Sequence, residues 1–292
     1  MHTYDRNYFK IALPAALEGL FMILLASTDL IMVGALGALS IAAVSIFMQP
    51  RLILLCFSRS LASSVTLLVS QKAGAGDTKG TSDIMKKSLT LCAIFMGLLH
   101  ILFYIFLDDI FYLMGANDEY MAEAMAYGPI AIAAVYVTSL TLILQAVQLG
   151  YGRTSVIMKT NVCGNVVNLA LNALLIFGFG PIPSLGVTGA AIGTLASTIF
   201  TLAWTAWILK NESFFSGGSY LPDRAYFHRM MPILLSILSE QGSERVGMVL
   251  FSRMAAGLGT IPFAVHSICM NISDVYLSLI HISEPTRLAL IS

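Results

Sequence analysis

Charged residues are scarce in this sequence. They make up 11% of the 292 residues, whereas a typical soluble domain carries about 25%. Hydrophobic residues reach 57%, which is more apolar surface than one soluble core of this size can bury. The formal net charge is zero, so the composition gives no indication of a nucleic-acid partner. These features predict an all-α, polytopic membrane bundle, because helices satisfy their own backbone hydrogen bonds in lipid.

Cysteine is also scarce, and common catalytic motifs are missing. The four cysteines stand in apolar runs without a CxxC pair, which argues against a disulfide framework or a zinc site; they are Cys56, Cys92, Cys163 and Cys269. We interpret them as small buried apolar side chains. The sequence has no Walker loop, GxSxG elbow or HExxH motif. We therefore expect no ATP use, no cofactor and no enzymatic activity.

Eight apolar segments are long enough to cross a bilayer, which takes about 20 helical residues. The first exceeds the apolar core of a signal peptide, so we interpret it as a retained helix. The predicted spans are 11–33, 43–70, 88–107, 126–149, 161–180, 186–209, 232–255 and 262–280. Between spans six and seven lies a polar segment rich in Gly and Ser, which predicts a linker between two bundles.

Basic residues alternate between the ends of these spans. They precede span one and fill the loops after spans two, four and six: Arg6, Lys10, Lys72, Lys79, Lys86, Lys87, Arg153, Lys159, Lys210, Arg224 and Arg229. The opposite side carries Arg253 and an acidic loop with Asp108, Asp109, Asp118, Glu119 and Glu123. The positive-inside rule then predicts a cytoplasmic N-terminus.

An internal repeat relates the start of the chain to its last spans. The segment LGALSIAAVSI from Leu36 resembles LGTIPFAVHSI from Leu258, an offset of 222 residues that also aligns Glu18 with Glu240. Six spans separate the copies, so the repeat is parallel, as in transporters built from two similar bundles. We expect a six-helix N-lobe over 1–210, a cytoplasmic linker over 211–230, and the first two helices of a C-lobe over 231–276.

The last residues resemble a sequencing scar. The tail LSLIHISEPTR from Leu277 looks like the translation of a transposase-type adapter, and such scars are excluded from fold reasoning. Our hypothesis is that the native sequence ends near Tyr276 and that 277–292 is not native. The chain is then a truncated part of a longer protein. A natural C-terminus is the alternative.

Ionisable residues inside the spans are candidate functional groups, since each is unfavourable by about 2.5–3.5 kcal/mol at mid-bilayer on insertion scales. They are Glu18, Asp29, Arg51, Arg59, Glu240, Glu244, Arg245 and Asp274. Asp29 suggests a proton or cation site, with a structural ion pair to an Arg of span two as the alternative. For Arg51 and Arg59 we favour a structural or snorkelling role. For Glu240 two interpretations stay open: an acid in the substrate cavity, or a partner for Glu244 and Arg245 within its own helix.

Amide, imidazole and small side chains add to these candidates. Asn168 and Asn172 lie four apart on one helical face, where they suit either carbonyl ligation of a cation or interhelical hydrogen bonding. His100 and His266 are isolated, so we interpret both as packing residues. The small residues of GVTGAAIGTLAST, 186–198, predict a close helix–helix contact.

These motifs resemble the multidrug and toxic compound extrusion (MATE) transporters. The resemblance rests on ALPAALEGLFMILLASTDLIMVGALG, LVSQKAGAGD, YGRTSVIM, VVNLALNALLIFGFGPIPSLGVTGAAIGT and LSEQGSERVGMVLFSRMAAGLGTIPFAVHSICMNIS, which together cover nearly all of 4–276. It implies twelve helices in two lobes and exchange of Na⁺ or H⁺ for organic, often cationic, compounds. We therefore expect a multi-pass protein of the cytoplasmic membrane, monomeric when complete, with small organic substrates.

The resemblance also implies roles for single residues. Asp29 matches the acid of the first helix that binds the coupling ion, Asn168 matches an Asn of that site, and Thr194 matches its hydroxyl. Asn172 stands where several members carry Asp, which weakens the expected Na⁺ site and leaves proton coupling through Asp29 open. We place Glu240, Arg51 and Gln49 in the substrate cavity. The alternative function is a lipid-linked oligosaccharide flippase of the same superfamily, which would need a basic cavity such as Arg51 and Arg59 provide.

Overall fold

The fold is known from a computed structural model. It describes residues 28–181, 183–212, 214, 217–270 and 272–273, with the backbone alone at Glu244. Most of the predicted first span, Glu18, Asp274 and the tail 277–292 lie outside the described residues.

The described chain consists of helices joined by short turns and loops, as the composition predicts. We number the helices in chain order. They are α1 (28–34), α2 (Ala38–Ile46), α3 (Met48–Gly74), α4 (Thr78–Ile105), α5 (Leu107–Leu113), α6 (Asp118–Gly150), α7 (Thr154–Phe177), α8 (Gly186–Asn211), α9 (Arg224–Ala256) and α10 (Thr260–Met270).

Five helical segments of the described chain are long and apolar enough to cross a membrane. They are α2 joined to α3, then α4, α6, α7 and α8, and they correspond to predicted spans two to six. The predicted seventh span lies in α9, a 33-residue helix whose charged residues lower its hydropathy. The eighth begins at α10, which is short and apolar. The all-α, polytopic fold class is confirmed.

Glycines on α8 bring that helix against α7. A Cβ on Gly189 would lie 2.5 Å from the carbonyl oxygen and 2.6 Å from the carbonyl carbon of Leu175. A Cβ on Gly193 would collide with the side-chain oxygen of Asn172. The predicted close contact in 186–198 is therefore confirmed, and its partner is α7.

The internal repeat is visible in the backbone. Gly37 and Gly259 have φ of 120° and 111°, a region that favours glycine, and each directly precedes a helix. The preceding turns carry the same hydrogen bonds, Gly37 N–H to Gly34 O (3.1 Å) and Gly259 N–H to Ala256 O (3.2 Å). The two helix starts α2 and α10 therefore share one local geometry, as the sequence repeat predicts.

Both ends of the bundle carry polar contacts. At the acidic end, defined by Asp108, Asp109, Asp118, Glu119 and Glu123, two carboxylates hold the starts of the repeated helices. Glu123 accepts a hydrogen bond from the hydroxyl of Ser40 on α2 (2.7 Å). Glu119 accepts one from Thr260 on α10, whose hydroxyl also accepts from the Asn117 amide (3.0 Å).

At the basic end, defined by Lys72, Lys86, Lys87 and Arg153, the segment between α8 and α9 is bound to α4. Lys86 donates to the carbonyl of Gly217 (2.5 Å). Lys87, with its side chain 8% exposed, pairs with Asp83 (2.6 Å) and Asp223 (2.8 Å). The expected linker is therefore anchored to the bundle through buried ammonium groups.

The α7–α8 contact gives a stability prediction. Gly189→Ala places a methyl group on the Leu175 carbonyl and should lower the free energy of unfolding by about 1–3 kcal/mol. Gly247→Ala on α9 meets nothing within 4 Å and should leave stability unchanged or raise it by up to about 1 kcal/mol. Denaturation followed by emission of Trp204 and Trp207 on α8 measures both; equal effects would refute the contact.

The linker anchor gives a second prediction. Lys87→Met leaves Asp83 and Asp223 without their cation. Because the ion pairs that hold the segment are then lost, trypsin should cleave after Arg224 several-fold faster than in the unaltered protein. Lys159→Met, on an exposed position of α7, is the matched control. Unchanged cleavage in Lys87→Met would show that the anchor does not restrain the segment.

The anchor also has a defined pH dependence. The pKa of Asp223 lies below its ordinary value, chiefly because Lys87 donates to the carboxylate and also because the Tyr226 N–H does. Because this pKa is lowered on folding, the ionised Asp223 stabilises the folded form at any pH above the unfolded pKa of about 3.9. That stabilisation is lost only as the pH falls through the lowered pKa of the folded form. Cleavage rates of the unaltered protein, corrected for trypsin activity, should therefore agree at neutral and mildly alkaline pH.

Candidate functional site

A polar cavity lies inside the lobe formed by α1–α8. Its volume is about 320 Å³, near the lower end of the range of small-molecule sites. The walls come from α1, α2, α3, α6, α7 and α8. The polar and charged lining residues are Asp29, Ser45, Arg51, Arg59, Tyr127, Thr138, Thr141, Gln145, Asn161, Asn165, Asn168, Asn172, Thr194, Ser197, Thr198 and Thr201.

Asp29 on α1 is held by amides of α7. The Asn172 nitrogen donates to one carboxylate oxygen of Asp29 (3.0 Å). In the amide orientation that satisfies both of its ends, the Asn168 nitrogen lies 3.0 and 3.2 Å from the two Asp29 oxygens, and its oxygen accepts from the N–H and hydroxyl of Thr194. The structure thus brings together the four residues predicted for the coupling-ion site.

The packing of α7 against α8 fixes this group. Asn168 and Asn172 are 7% and 2% exposed, so their amides have little freedom to turn away from Asp29. The side-chain oxygen of Asn172 lies over Gly193 and has no hydrogen-bond partner among the described residues. A buried oxygen of this kind is an available acceptor for a proton donor or a small cation at Asp29.

A stripe of four asparagines extends the site along α7, and only Asn168 and Asn172 of the four are predicted site residues. Asn161, Asn165, Asn168 and Asn172 all line the cavity, at spacings of four, three and four residues. That spacing keeps them on one face of a helix, so the signal was present in the sequence. Over these residues the stripe extends about 17 Å at 1.5 Å per residue.

The α3 wall of the cavity carries two guanidinium groups. Arg51 and Arg59 on α3 both line the cavity and both have exposed side chains. Neither forms an ion pair with another described residue. No ion pair joins Asp29 to an Arg among the described residues, so the alternative of a direct Asp29–Arg salt bridge is not what the structure shows.

The remaining candidates lie elsewhere. Glu240 is exposed on α9 and Gln49 is half-buried, and neither lines the cavity. His100 is buried, with its ring 5.5 Å from that of Tyr136, and the His266 ring packs 5.1 Å from Phe251. Both histidines are packing residues, as predicted.

Membrane-length helices around a polar cavity, together with a parallel repeat, define a multi-pass membrane protein of the secondary-transporter type. The MatE family model matches residues 14–174, more than half of the chain. The chain therefore belongs to the MatE (MATE) family of transporters, which confirms the family that its motifs resemble.

Two relatives illustrate how the chain relates to longer proteins. It is similar to a probable multidrug resistance protein NorM of Rhizobium meliloti, with 26% identity over 282 residues, covering 94% of this chain and 59% of that protein. It is also similar to an FAD transporter of Shewanella oneidensis, with 27% identity over 213 residues, covering 70% of this chain and 45% of that protein. The chain thus spans about half to three fifths of these relatives.

Solved structures show the same fold. An inward-facing multidrug resistance MATE family transporter of the MOP superfamily superposes with a TM-score of 0.77 and 23% identity, covering 91% of this chain and 60% of that chain. A variant of the Vibrio cholerae MATE transporter VcmN superposes with a TM-score of 0.78 and 19% identity, covering 97% and 69%.

The Asn172 position gives a prediction about ion binding. Asn172→Asp places a second carboxylate beside Asp29, and two adjacent carboxylates are stabilised by a bound cation or proton. Na⁺ should therefore raise the unfolding temperature of this variant more than that of the unaltered protein. At a Na⁺ concentration one hundred times its Kd, bound Na⁺ adds about 2.7 kcal/mol to the free energy of unfolding.

The controls isolate the position and the ion. Asn161→Asp adds a carboxylate at the other end of the asparagine stripe, away from Asp29, and choline replaces Na⁺ at equal ionic strength. An equal response to Na⁺ in the two variants would show that residues 29 and 172 do not form one site.

Proposed function

We propose that the complete protein is a cation- or proton-coupled antiporter that exports small organic compounds across the cytoplasmic membrane. The observation that carries the proposal is the Asp29 carboxylate, held by Asn168 and Asn172 inside the cavity. A carboxylate inside a membrane bundle is unfavourable unless it binds a partner. Na⁺ or H⁺ is that partner in the transport cycle, so binding at Asp29 links ion entry to substrate exit.

Alternating access between two lobes supplies the movement. The acidic end joins α10 to α6 through Thr260, Asn117 and Glu119, and this contact belongs to a state closed at that end. Solved MATE transporters include inward-facing and outward-facing conformations, which supports the same exchange of states here. The anchored linker at the basic end connects the lobes through the cycle.

Charge distribution supports the membrane location and orientation. Lys72, Lys86, Lys87 and Arg153 lie at one end of the bundle, and this excess of basic residues supports a cytoplasmic location for the basic end. The coupling ion then enters from the acidic end, outside the cell. We further propose that the complete protein acts as a monomer, because the described lining of the cavity comes from helices of a single lobe.

Export of a small organic compound is favoured over a lipid-linked oligosaccharide flippase. The relatives are named as multidrug resistance proteins or as an FAD transporter. The cavity volume of about 320 Å³ suits a small molecule better than an oligosaccharide.

The proposal predicts the effect of removing the carboxylate. Asp29→Asn in the complete protein should reduce ion-driven efflux at least about tenfold, because a neutral amide neither takes up a proton at physiological pH nor balances a cation. Dye accumulation in everted vesicles under an imposed Na⁺ or pH gradient measures this. Asp109→Asn, exposed at the acidic end, is the control, and unimpaired efflux in Asp29→Asn would refute the coupling role.

A further inference from the structure

The described wall of the cavity has an excess of positive charge. It carries the guanidiniums of Arg51 and Arg59 against the single carboxylate of Asp29. The rest of the polar wall consists of neutral amides and hydroxyls. Because charges interact strongly in a membrane bundle of low dielectric constant, this excess determines which ligands enter favourably.

The two signs of charge are not equally available to a ligand. The Asp29 oxygens already accept hydrogen bonds from the Asn168 and Asn172 amides, so its charge is directed into the wall. Arg51 and Arg59 are exposed and form no ion pair within the described part of the chain. A guanidinium inside a membrane protein needs water or an anion. A ligand in the cavity therefore meets the arginines first.

The spacing of the arginines defines the shape of the ligand. Arg51 and Arg59 lie about 12 Å apart along α3, at 1.5 Å per residue. Guanidinium groups bind carboxylate, phosphate or sulfonate groups through paired N–H donors. The asparagine stripe of α7 lines the same cavity, where side-chain amides can hydrogen-bond to the polar groups of an organic ligand.

We propose that this transporter binds organic anions, small molecules with a carboxylate, phosphate or sulfonate group that pairs with Arg51 or Arg59. The proposal rests on the proposed transport function and names its substrate class. The preference for anions holds in both states of Asp29, since the two arginines outnumber it when it is ionised and stand alone when it is neutral. Neutralising Asp29 therefore strengthens anion binding, although it should abolish coupled efflux.

Two dyes with the same xanthene ring system and opposite charge test the substrate class. Fluorescein is an anion at neutral pH, and tetramethylrhodamine methyl ester is a cation. Fluorescence anisotropy with the purified 292-residue chain in neutral detergent should give a Kd at least about tenfold lower for fluorescein, as one charge-assisted contact provides.

Variants then locate the binding groups. Arg51→Gln and Arg59→Gln should each weaken fluorescein binding roughly ten- to hundredfold, whereas Arg51→Lys and Arg59→Lys keep the charge and should retain part of the affinity. Arg224→Gln, exposed at the start of α9 and outside the cavity, should not change it. Asp29→Asn should bind fluorescein more tightly. Circular dichroism and tryptophan emission confirm the fold of each variant.

Each outcome decides the proposal. Tighter or equal binding of the cationic dye would overturn it and would mean that acidic groups outside the described residues, such as Glu18, neutralise the arginines. Binding of neither dye would also overturn it. In both cases the proposed antiport is tested separately, by the efflux measurement with the Asp29→Asn variant of the complete protein. Fluorescein binding that the Gln variants do not alter would refute the assignment to Arg51 and Arg59.

Discussion

The close contact between α7 and α8 determines the polar interior of this lobe. Gly189 and Gly193 let α8 approach the α7 backbone and the Asn172 amide. That approach buries Asn168 and Asn172 and directs their nitrogens to Asp29. In lipid, helix association depends on such close packing rather than on hydrophobic burial. A glycine contact between α7 and α8 thus prepares the environment of a charged group on a third helix, α1.

The cavity accommodates charge in two different ways. On the α7 side, the Asp29 carboxylate is stabilised by fixed amide dipoles, which remain in place when the charge changes. On the α3 side, Arg51 and Arg59 depend on water or a ligand, because the described chain offers them no ion pair. The first arrangement suits a small ion that is bound and released. The second suits a larger ligand that brings its own charge.

Sequence patterns identified features that depend on neighbouring residues. Apolar runs predicted eight spans, and five of them correspond to membrane-length helices of the described chain. The LG dipeptides at Leu36 and Leu258 marked a repeated turn with positive φ. The spacing of the full asparagine stripe is equally visible in the sequence, although Asn161 and Asn165 belong to no motif. Apolar length was less informative for α9, where Glu240, Glu244 and Arg245 interrupt the run.

Contacts across the chain were beyond the reach of the sequence patterns. Lys86 and Lys87 fit a cytoplasmic loop by the positive-inside rule, but the structure places them within α4, where they bind Gly217 and Asp223 more than 130 positions away. At the acidic end, Glu119 and Glu123 lie one turn apart on α6 and hold Thr260 and Ser40, the starts of the two repeated helices. Separation of the lobes at this end, which the proposed alternating access requires, would break the Glu119 contact with Thr260 and keep the Glu123 contact with Ser40. In the proposed cycle, one turn of α6 would therefore contact both a helix that moves and a helix that stays.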